Sequence, residues 1–595
     1  MKSGRQWNLH EGRERTFLVV VAVCLIVLVL QAARLQLGQH RRYLAKSLSN
    51  KIQPVAIPAP RGEIFDRAGR PLAVNRVSYT LKYFPPPGEP AENAALDAVA
   101  SFLKVDRGTM VDSVIQQRKV LYSFQPVTLA RDLTLSQVSY VEENRQEFPG
   151  VFIESDSYTR SYPLGAAAGH LVGYTGAIGE GDLPGMLLRG YAADDFVGKE
   201  GVEKSFEDEL RGQKGVREVE VDRNRHFIRV LRTSPPHKGT DVFLTIDAEV
   251  QRKAYESLGG RRGAIVVMNP GTGEVIALAS SPSFDPNRFR GSGGARYLQS
   301  IVESAGFPMM NRASGNAYAP GSAFKPAVLA AALESGKVSG GTTFFCEGKV
   351  EIGNRTFYCW KRSGHGTVGL VDTLGKSCDV AFYHMGLKLG PALIGRCAED
   401  FGFGRSSGIQ LPQEVPGLIP SPAWKRRHYA GGQYHDVDRI WYDGDTANLA
   451  IGQGYLLVTP LQILLMANAV ANDGVLVEPT VLKGERVTGK IVGMHPPLRR
   501  DIGLHEETVR TIQQGMRRAM QLGGTAETGA VAGLKMAGKT GTAENLQGEP
   551  HSWFVGYFPA DAPRYSFVVF LENGGSSQKA AVPAAKQLAR FLVRQ

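Results

Sequence analysis

Hydrophobic patterning divides the chain into three stretches. Thr16 to Ala33 reads TFLVVVAVCLIVLVLQAA, 18 residues without a charge. That is close to the roughly 20 residues a helix needs to cross a bilayer. A cleaved signal would need a small-x-small site after the run, and Leu30 and Gln31 spoil the register before Ala32 and Ala33. An uncleaved single-pass helix over residues 16–36 is therefore expected, with a tail of 15 residues ahead of it. After the span comes a basic, helix-like stretch and the Pro-rich segment Pro54–Pro60; beyond Arg67 the pattern gives short strands and loops up to the joint Ser234-Pro235-Pro236, which closes a region of residues 37–237.

From residue 238 to 595 the periodicity is cleaner. Val242–Ile246 predicts a strand, and Asp247 can cap a helix with Val250, Ala254 and Leu258 on one face. Ala264–Met268 and Glu274–Ala279 predict two strands joined by a turn at Asn269-Pro270-Gly271-Thr272-Gly273. A helical region is expected from Ser322 to Cys397, and another helix from Thr459-Pro460. Leu534–Ala543, Ser552–Phe558 and Tyr565–Leu571 predict three more strands, and Ala580–Val593 a last helix. Two early strands and three late ones can close into one five-stranded antiparallel sheet with helices packed on it, a mixed α+β fold. No fixed-period repeat is visible.

Composition changes this picture little. The chain has 595 residues, 43% hydrophobic and 21% charged, an ordinary globular balance with room for several domains. Its formal net charge of +12 fits nucleic acid, anionic lipid or an acidic polymer. No zinc-finger spacing or aromatic–basic RNA-binding stretch accompanies it, which leaves a membrane surface, an anionic wall polymer or simply a soluble basic surface. Charge does not orient the span: Lys2, Arg5, Arg13 and Arg15 precede it, and Arg34, Arg41, Arg42, Lys46 and Lys51 follow.

Three short motifs carry candidate chemistry. Ser322-Ala323-Phe324-Lys325 puts a hydroxyl and an amine on one face of a helix expected to begin just before Ser322, because Pro326 is best tolerated in a first turn. A serine needs an adjacent base, and a desolvated lysine can serve. Ser377-Cys378-Asp379 follows 55 residues after Ser322 and offers a hydroxyl and a carboxylate for proton relay. Lys539-Thr540-Gly541-Thr542 lies 162 residues beyond Ser377, in a strand pattern suited to holding a carboxylate, with Gly541 admitting a substrate backbone. Each alone equally describes a surface helix start, a polar helix junction or a solvated edge strand.

Together and in this order they resemble the Ser–Lys, Ser–Asp–Asn and Lys–Thr–Gly set of β-lactamases and penicillin-binding proteins. Ala59-Pro60-Arg61-Gly62-Glu63-Ile64-Phe65-Asp66-Arg67 and Gly198-Lys199-Glu200-Gly201-Val202-Glu203 are similar to pedestal-domain motifs of class B penicillin-binding proteins. Asp379, where the wider superfamily has Asn, is similar to the elongation-specific penicillin-binding protein 2 branch. The resemblance covers nearly the whole chain. It implies a transmembrane helix, a pedestal over residues 37–237 and a transpeptidase domain over 238–595. It implies a peptidoglycan D,D-transpeptidase at the inner membrane, with a cytoplasmic N-terminus and a periplasmic catalytic domain. Ser322 would be the nucleophile, Lys325 the base and Ser377 the relay. Lys539, Thr540 and Thr542 would hold the substrate carboxylate, and backbone N–H groups of Ser322 and Thr542 the oxyanion. Stem peptides ending in D-Ala-D-Ala donate, an amine accepts, and β-lactams mimic the donor. With no glycosyltransferase-sized module ahead of the pedestal, a separate glycan polymerase, RodA, and the scaffold MreC are the implied partners. No organic cofactor is implied.

Two alternatives stay open. The first concerns Cys346, Cys359, His365 and Cys378, spaced Cys-x12-Cys-x5-His-x12-Cys, which suit tetrahedral zinc as some relatives of that branch resemble. A Cys346–Cys359 disulfide or buried free thiols is the other reading. The second concerns turnover: a β-lactamase or D,D-carboxypeptidase uses the same triplet but needs an extra base for water, which the sequence does not reveal. A sensor without turnover is disfavoured by the short leading tail, whereas a scaffold role through the pedestal is compatible with the enzyme reading.

Overall fold

The computed structural model describes residues 7–43, 51–84, 94–120, 126–179, 181–192, 195–222, 227–290, 293–431, 433–487, 489–493, 496–545 and 548–595. Lys2, Arg5 and Lys46 of the charges flanking the span lie outside them. Helix α1 (Trp7–Ala33) runs on into a π-helical turn, Arg34–Gly38. Glu14–Gly38 has a mean hydropathy of 2.9 and none of its apolar window is buried. Among the described residues it is the one helix long and apolar enough to cross a membrane.

The region up to Lys238 is richer in helix than its pattern suggests. Helices Ala94–Leu103 and Arg107–Val120 pack on the long strand Pro71–Tyr83 and on Val127–Leu133, burying Leu81, Tyr83, Leu96, Val99 and Val114. Ala94–Leu103 buries Ala95, Leu96, Val99, Ala100 and Leu103 on one face and exposes Asp97 and Ser101, a helical period that the strand-and-loop expectation passes over. Arg107–Val120 shows a narrower face, Met110, Val111 and Val114.

The two pedestal motifs meet in a buried ionic cluster. Arg61 donates to Glu203 at 2.6 Å and to Glu207 at 2.6 Å, and Arg160 donates to Glu203 at 2.8 Å. The Arg61–Arg67 segment is also sewn to the catalytic region. Its strand Ile64–Phe65 pairs in parallel with Val242–Leu244. Asp66 accepts from the N–H of Ala248 at 3.2 Å, and Arg70 reaches Asp247 and Glu249.

Helix α2 (Ala248–Leu258) starts at Asp247, whose carboxylate caps the N–H groups of Glu249 and Val250 and whose buried face includes Val250, Ala254 and Leu258. Five strands form one antiparallel sheet: β1 (Gly263–Met268), β2 (Val275–Ser281), β3 (Ala537–Ala543), β4 (His551–Phe558) and β5 (Tyr565–Leu571), in spatial order β2-β1-β5-β4-β3. Every residue of β1 and β2 is buried, because helices cover both faces. Ala264, Val266 and Met268 turn toward one core, and Ile265 and Val267 toward the other. The first core contains α3 (Lys325–Glu334) and an entirely buried helix, Pro460–Ala471, capped by Thr459. The second contains α2 and the last helix, Ala581–Leu592. Each fully buried Leu or Ile contributes about 1.5–3 kcal/mol, so Pro460–Ala471 holds the sheet firmly beneath the site.

The expected helical region 322–397 is a correction. It opens with a 3-10 turn, Gly321–Phe324, and helix α3, but strands then interrupt it. Thr343–Cys346 pairs with Gly366–Gly369, and a hairpin joins Lys349–Ile352 to Arg355–Tyr358. The two-residue Gly353-Asn354 loop, with φ +59° at Gly353, is the missed turn signal, and four-residue strands are too short to show alternation. Helix resumes at Asp379–Asp400 (α4), broken at Gly390 before Pro391.

Candidate active site

Backbone packing positions the nucleophile turn. Gly321 has φ +53°, and a Cβ on it would sit 2.6 Å from the carbonyl oxygen of Thr542 on β3. Its N–H donates to Gly452 O at 2.8 Å. A Cβ on Gly541 would meet Pro320 O at 2.7 Å and Ala323 N at 2.9 Å. Gly541 therefore makes room for the nucleophile turn against the strand. Ser322 is half-buried in the 3-10 turn, one step ahead of the α-helix that begins at Lys325 with Pro326 in its first turn. The helix was expected to start before Ser322. Pro326 lacks an N–H, and its place in the first turn of an α-helix starting at Lys325 leaves Ser322 in the tighter turn before it.

Lys325 and Lys539 are both completely buried. Lys325 Nζ donates to Asp379 Oδ1 at 2.7 Å, to Ser377 O at 3.0 Å and to Ser377 Oγ at 3.2 Å. Lys539 Nζ reaches the same Ser377 Oγ at 2.9 Å and the carbonyl of Thr540 at 2.9 Å. Ser377 holds φ +52°, an uncommon conformation for a residue with a side chain, at the point where both amines converge. Burial, and then the neighbouring Lys325 charge, push the Lys539 amine well below its ordinary pKa, with Asp379 only partly offsetting them. The centre thus brings together two amines, one carboxylate and one hydroxyl next to the Ser322 turn.

Strand β3 is the outer strand of the sheet, so it keeps backbone N–H and C=O groups for an incoming chain. Along it Thr542 is exposed and Thr540 is not. The Thr540 hydroxyl donates to Thr525 at 2.9 Å, beneath the surface, while Thr542 meets Ser577 at 3.3 Å. Sequence reasoning missed Thr525, Ser577 and Gly452, which join the site only through long-range contacts.

It also missed Trp360. The Trp360 backbone N–H donates to Asp379 Oδ2 at 2.8 Å, fixing the carboxylate's second oxygen while Lys325 holds the first. The residue before Trp360 is Cys359, one of four candidate metal ligands. Cys346, Cys359 and Cys378 Sγ and one His365 nitrogen all lie within 4.8 Å of one another. All three cysteines are free thiols, so the Cys346–Cys359 disulfide is not formed. The Cys378 thiol, and less strongly His365, donate to Cys359 and hold it far below an ordinary thiol pKa against its burial; the same contact and burial raise Cys378. Tetrahedral zinc with thiolate ligands would set neighbouring donors about 3.8 Å apart. His365 Nδ1 lies 3.7 Å from Cys346 Sγ and 3.5 Å from Cys359 Sγ. The donor set and its spacing fit the ion.

Residues 263–590 match the family described as the penicillin binding protein transpeptidase domain, and residues 56–244 the penicillin-binding protein dimerisation domain. The chain is 32% identical over 593 residues to the peptidoglycan D,D-transpeptidase MrdA of Escherichia coli K12, covering 95% of this chain and 91% of that one. Identity to the MrdA of Acinetobacter baumannii is 33%, covering 97% and 87%. Among solved structures, penicillin-binding protein 2 in complex with MreC from Helicobacter pylori aligns with a TM-score of 0.79 at 26% identity, over 91% of this chain and 99% of that one. A peptidoglycan synthase complex that coordinates polymerisation and crosslinking aligns with a TM-score of 0.71 at 30% identity, over 97% and 98%. With both domains matched in order and relatives aligned along almost its whole length, the chain belongs to the penicillin-binding proteins of the penicillin-binding protein 2 type.

Proposed function

We infer that this chain is a serine D,D-transpeptidase that cross-links peptidoglycan stem peptides during elongation and is acylated by β-lactams. The observation that carries it is the convergence of buried Lys325 and Lys539 on Ser377 Oγ, beside the Ser322 turn and under the open edge of β3.

Ser322 Oγ attacks the penultimate D-alanine carbonyl of a donor lying along β3. Lys325 takes up that proton as it gives one of its own through Ser377 Oγ to the Lys539 amine, whose depressed pKa makes it a ready acceptor. Backbone N–H groups of Ser322 and Thr542 face the developing oxyanion, and Lys539 and Thr542 attract the donor carboxylate, with Thr540 acting from behind the strand. The C–N bond breaks, D-alanine leaves with a proton returned through Ser377, and Ser322 keeps the acyl group. An acceptor amine then attacks the ester: a new C–N bond forms, the Ser322 ester bond breaks, and its hydroxyl recovers a proton. Water in the amine's place would give carboxypeptidase or hydrolase activity. Asp379 keeps Lys325 in place throughout.

Zinc held by Cys346, Cys359, His365 and Cys378 would supply a closed structural clamp, tying Trp360 and Ser377–Asp379 to one point. Zinc analysis of protein purified without chelator tests this, and absence of the metal would remove the clamp. The likeness to complexes containing MreC and to a peptidoglycan synthase supports a glycan polymerase, RodA, and MreC as partners. The substrate's location supports a helix anchored in the inner membrane with the N-terminus cytoplasmic, residues 37–237 as pedestal and 238–595 as the periplasmic transpeptidase domain.

The test is incubation of the protein with a fluorescent penicillin, read by intact mass and adduct lifetime, beside Ser322→Ala. A long-lived adduct present only with Ser322 is expected. A short-lived adduct would indicate a hydrolase, and no adduct on folded protein would remove the enzyme assignment.

A further inference from the structure

Both threonines of β3 rest on residues from outside the three motifs. Thr540 and Thr542 are two residues apart on a strand, so their side chains share a face. Each hydroxyl meets a second one. Thr540 donates to Thr525 at 2.9 Å, and Thr542 Oγ1 lies 3.3 Å from Ser577 Oγ. Gln578, the residue after Ser577, donates its side-chain amide to Thr525 O at 3.2 Å. The pair Ser577-Gln578 is therefore laid against both positions of the strand.

Only the Ser577 contact reaches the surface. Thr542 is exposed on the outer strand, whereas Ser577 is 5% exposed. Backbone bonds hold Ser577 in place. Its carbonyl accepts from Val582 N–H at 2.9 Å, in the first turn of the last helix, and Gly575 N–H donates to Pro550 O at 2.8 Å. The Ser577 N–H donates to Thr542 Oγ1 at 3.4 Å, the same atom its hydroxyl meets. Among the described residues the Ser577 hydroxyl has no other partner. A buried hydroxyl thus serves one exposed hydroxyl alone.

A threonine hydroxyl has one proton to give and two lone pairs, and a carboxylate only accepts. A carboxylate beside β3 therefore needs the Thr542 proton. Ser577 N–H takes one Thr542 lone pair, and the Ser577 hydroxyl, turning about its C–O bond, fills the other. Thr542 then has its proton left for the solvent side. Hydrogen bonds in series polarise one another, and a charged acceptor at the end strengthens the last of them. We propose that Ser577 is a positioning residue for the donor's terminal carboxylate, acting through Thr542. This rests on the transpeptidase reading above.

The test uses an N-acyl-D-alanyl thioester of thioglycolate, which carries a carboxylate on its leaving thiol, and the methyl ester of that carboxylate. The two share one scissile bond and differ in charge. Thiol release gives kcat/KM for each. The native protein should favour the carboxylate donor. Ser577→Ala should cut kcat/KM for that donor about fivefold, the worth of one neutral hydrogen bond, and leave the methyl ester unchanged. With Thr542→Val already in place, Ser577→Ala should change neither donor. Equal losses on both donors would make Ser577 a support for the fold and overturn the proposal. An unchanged preference in Ser577→Ala would overturn it too, as would native protein indifferent to the charge. A fivefold loss that persists beside Thr542→Val would show that Ser577 does not act through Thr542. Failure of penicillin to acylate the native protein would instead count against the transpeptidase reading itself.

Discussion

Two buried ionic clusters, one in the pedestal region and one at the nucleophile, use the same kinds of group to opposite ends. Arg61 and Arg160 face Glu203 and Glu207, two positive groups against two negative. Burial alone would raise the Glu203 pKa, but Arg160 and Arg61 hold it below the ordinary carboxylate value. The two guanidinium groups there favour the charged form of Glu203. At the nucleophile Lys325 and Lys539 face only Asp379, and the surplus falls on Lys539, which is driven toward the neutral amine. A balanced cluster holds two motifs together, whereas an unbalanced one leaves a base ready for proton transfer.

The comparison breaks most visibly at Lys325. Replacing Lys325 by Ala should slow penicillin acylation by about 10²–10⁴-fold, the usual worth of a positioned base, while the protein stays folded. Stopped-flow acylation beside circular dichroism checks both halves. The pedestal cluster should respond the other way. Glu203→Gln leaves two buried guanidinium groups short of a partner and should cost about 3–5 kcal/mol of stability, read by denaturant unfolding. The folded fraction should acylate at the native rate, because Glu203 belongs to the pedestal cluster. A Glu203→Gln protein as stable as the native one would mean that the cluster is not what joins the pedestal motifs.

These two regions also differ in how legible they were. The 3-residue spacing of Ser322 and Lys325, the Asp247 cap, the Thr459-Pro460 helix start and the five strands of the catalytic sheet are local patterns, and the structure carries them. The strand hairpin at Lys349–Tyr358 was not legible, because four-residue strands take their form from tertiary contacts, and Arg107–Val120 has too narrow an apolar face, whereas Ala94–Leu103 carries a one-sided apolar pattern that could have been read. The motifs named the chemical groups but not their wiring. The partners Lys325–Asp379 and Lys539–Ser377 are 54 and 162 residues apart, and only the fold reveals that Lys325 rests on Asp379 and Ser377. Trp360 left no trace in any periodicity, since what joins it to Asp379 is a backbone N–H.

Acidity sharpens the same contrast. A carboxylate held below its unfolded value of 4.5 contributes stability that is complete above that value and is lost as pH falls through the lower folded one, so the Glu203 contribution should fade only in acid. Lys539 works in the reverse sense to an ordinary paired lysine. Its folded pKa lies below the unfolded 10.5, so between the two the unfolded chain binds the extra proton and stability rises with pH. Acylation should rise across the Lys539 titration as well, with its limb well below 10.5. A pH–rate profile and pH-dependent unfolding would locate the two windows, and a limb near the ordinary lysine value would show Lys539 to be a plain cation.

The smallest effect is the most discriminating. Asp379 is the one group at the nucleophile that raises the Lys539 pKa. Asp379→Asn keeps an oxygen for Lys325 or for the Trp360 N–H but removes the charge, leaving the two lysines with no carboxylate between them. The surplus grows from one to two, and Lys539 should lose its proton more easily still. The acid limb of the acylation profile should therefore move to lower pH, by about one unit for a loss of roughly 1.4 kcal/mol of interaction. If instead Asp379 served as the base, the same substitution would lower the rate at every pH without moving the limb. The direction of the limb thus separates a carboxylate that sets the charge balance from one that takes the proton.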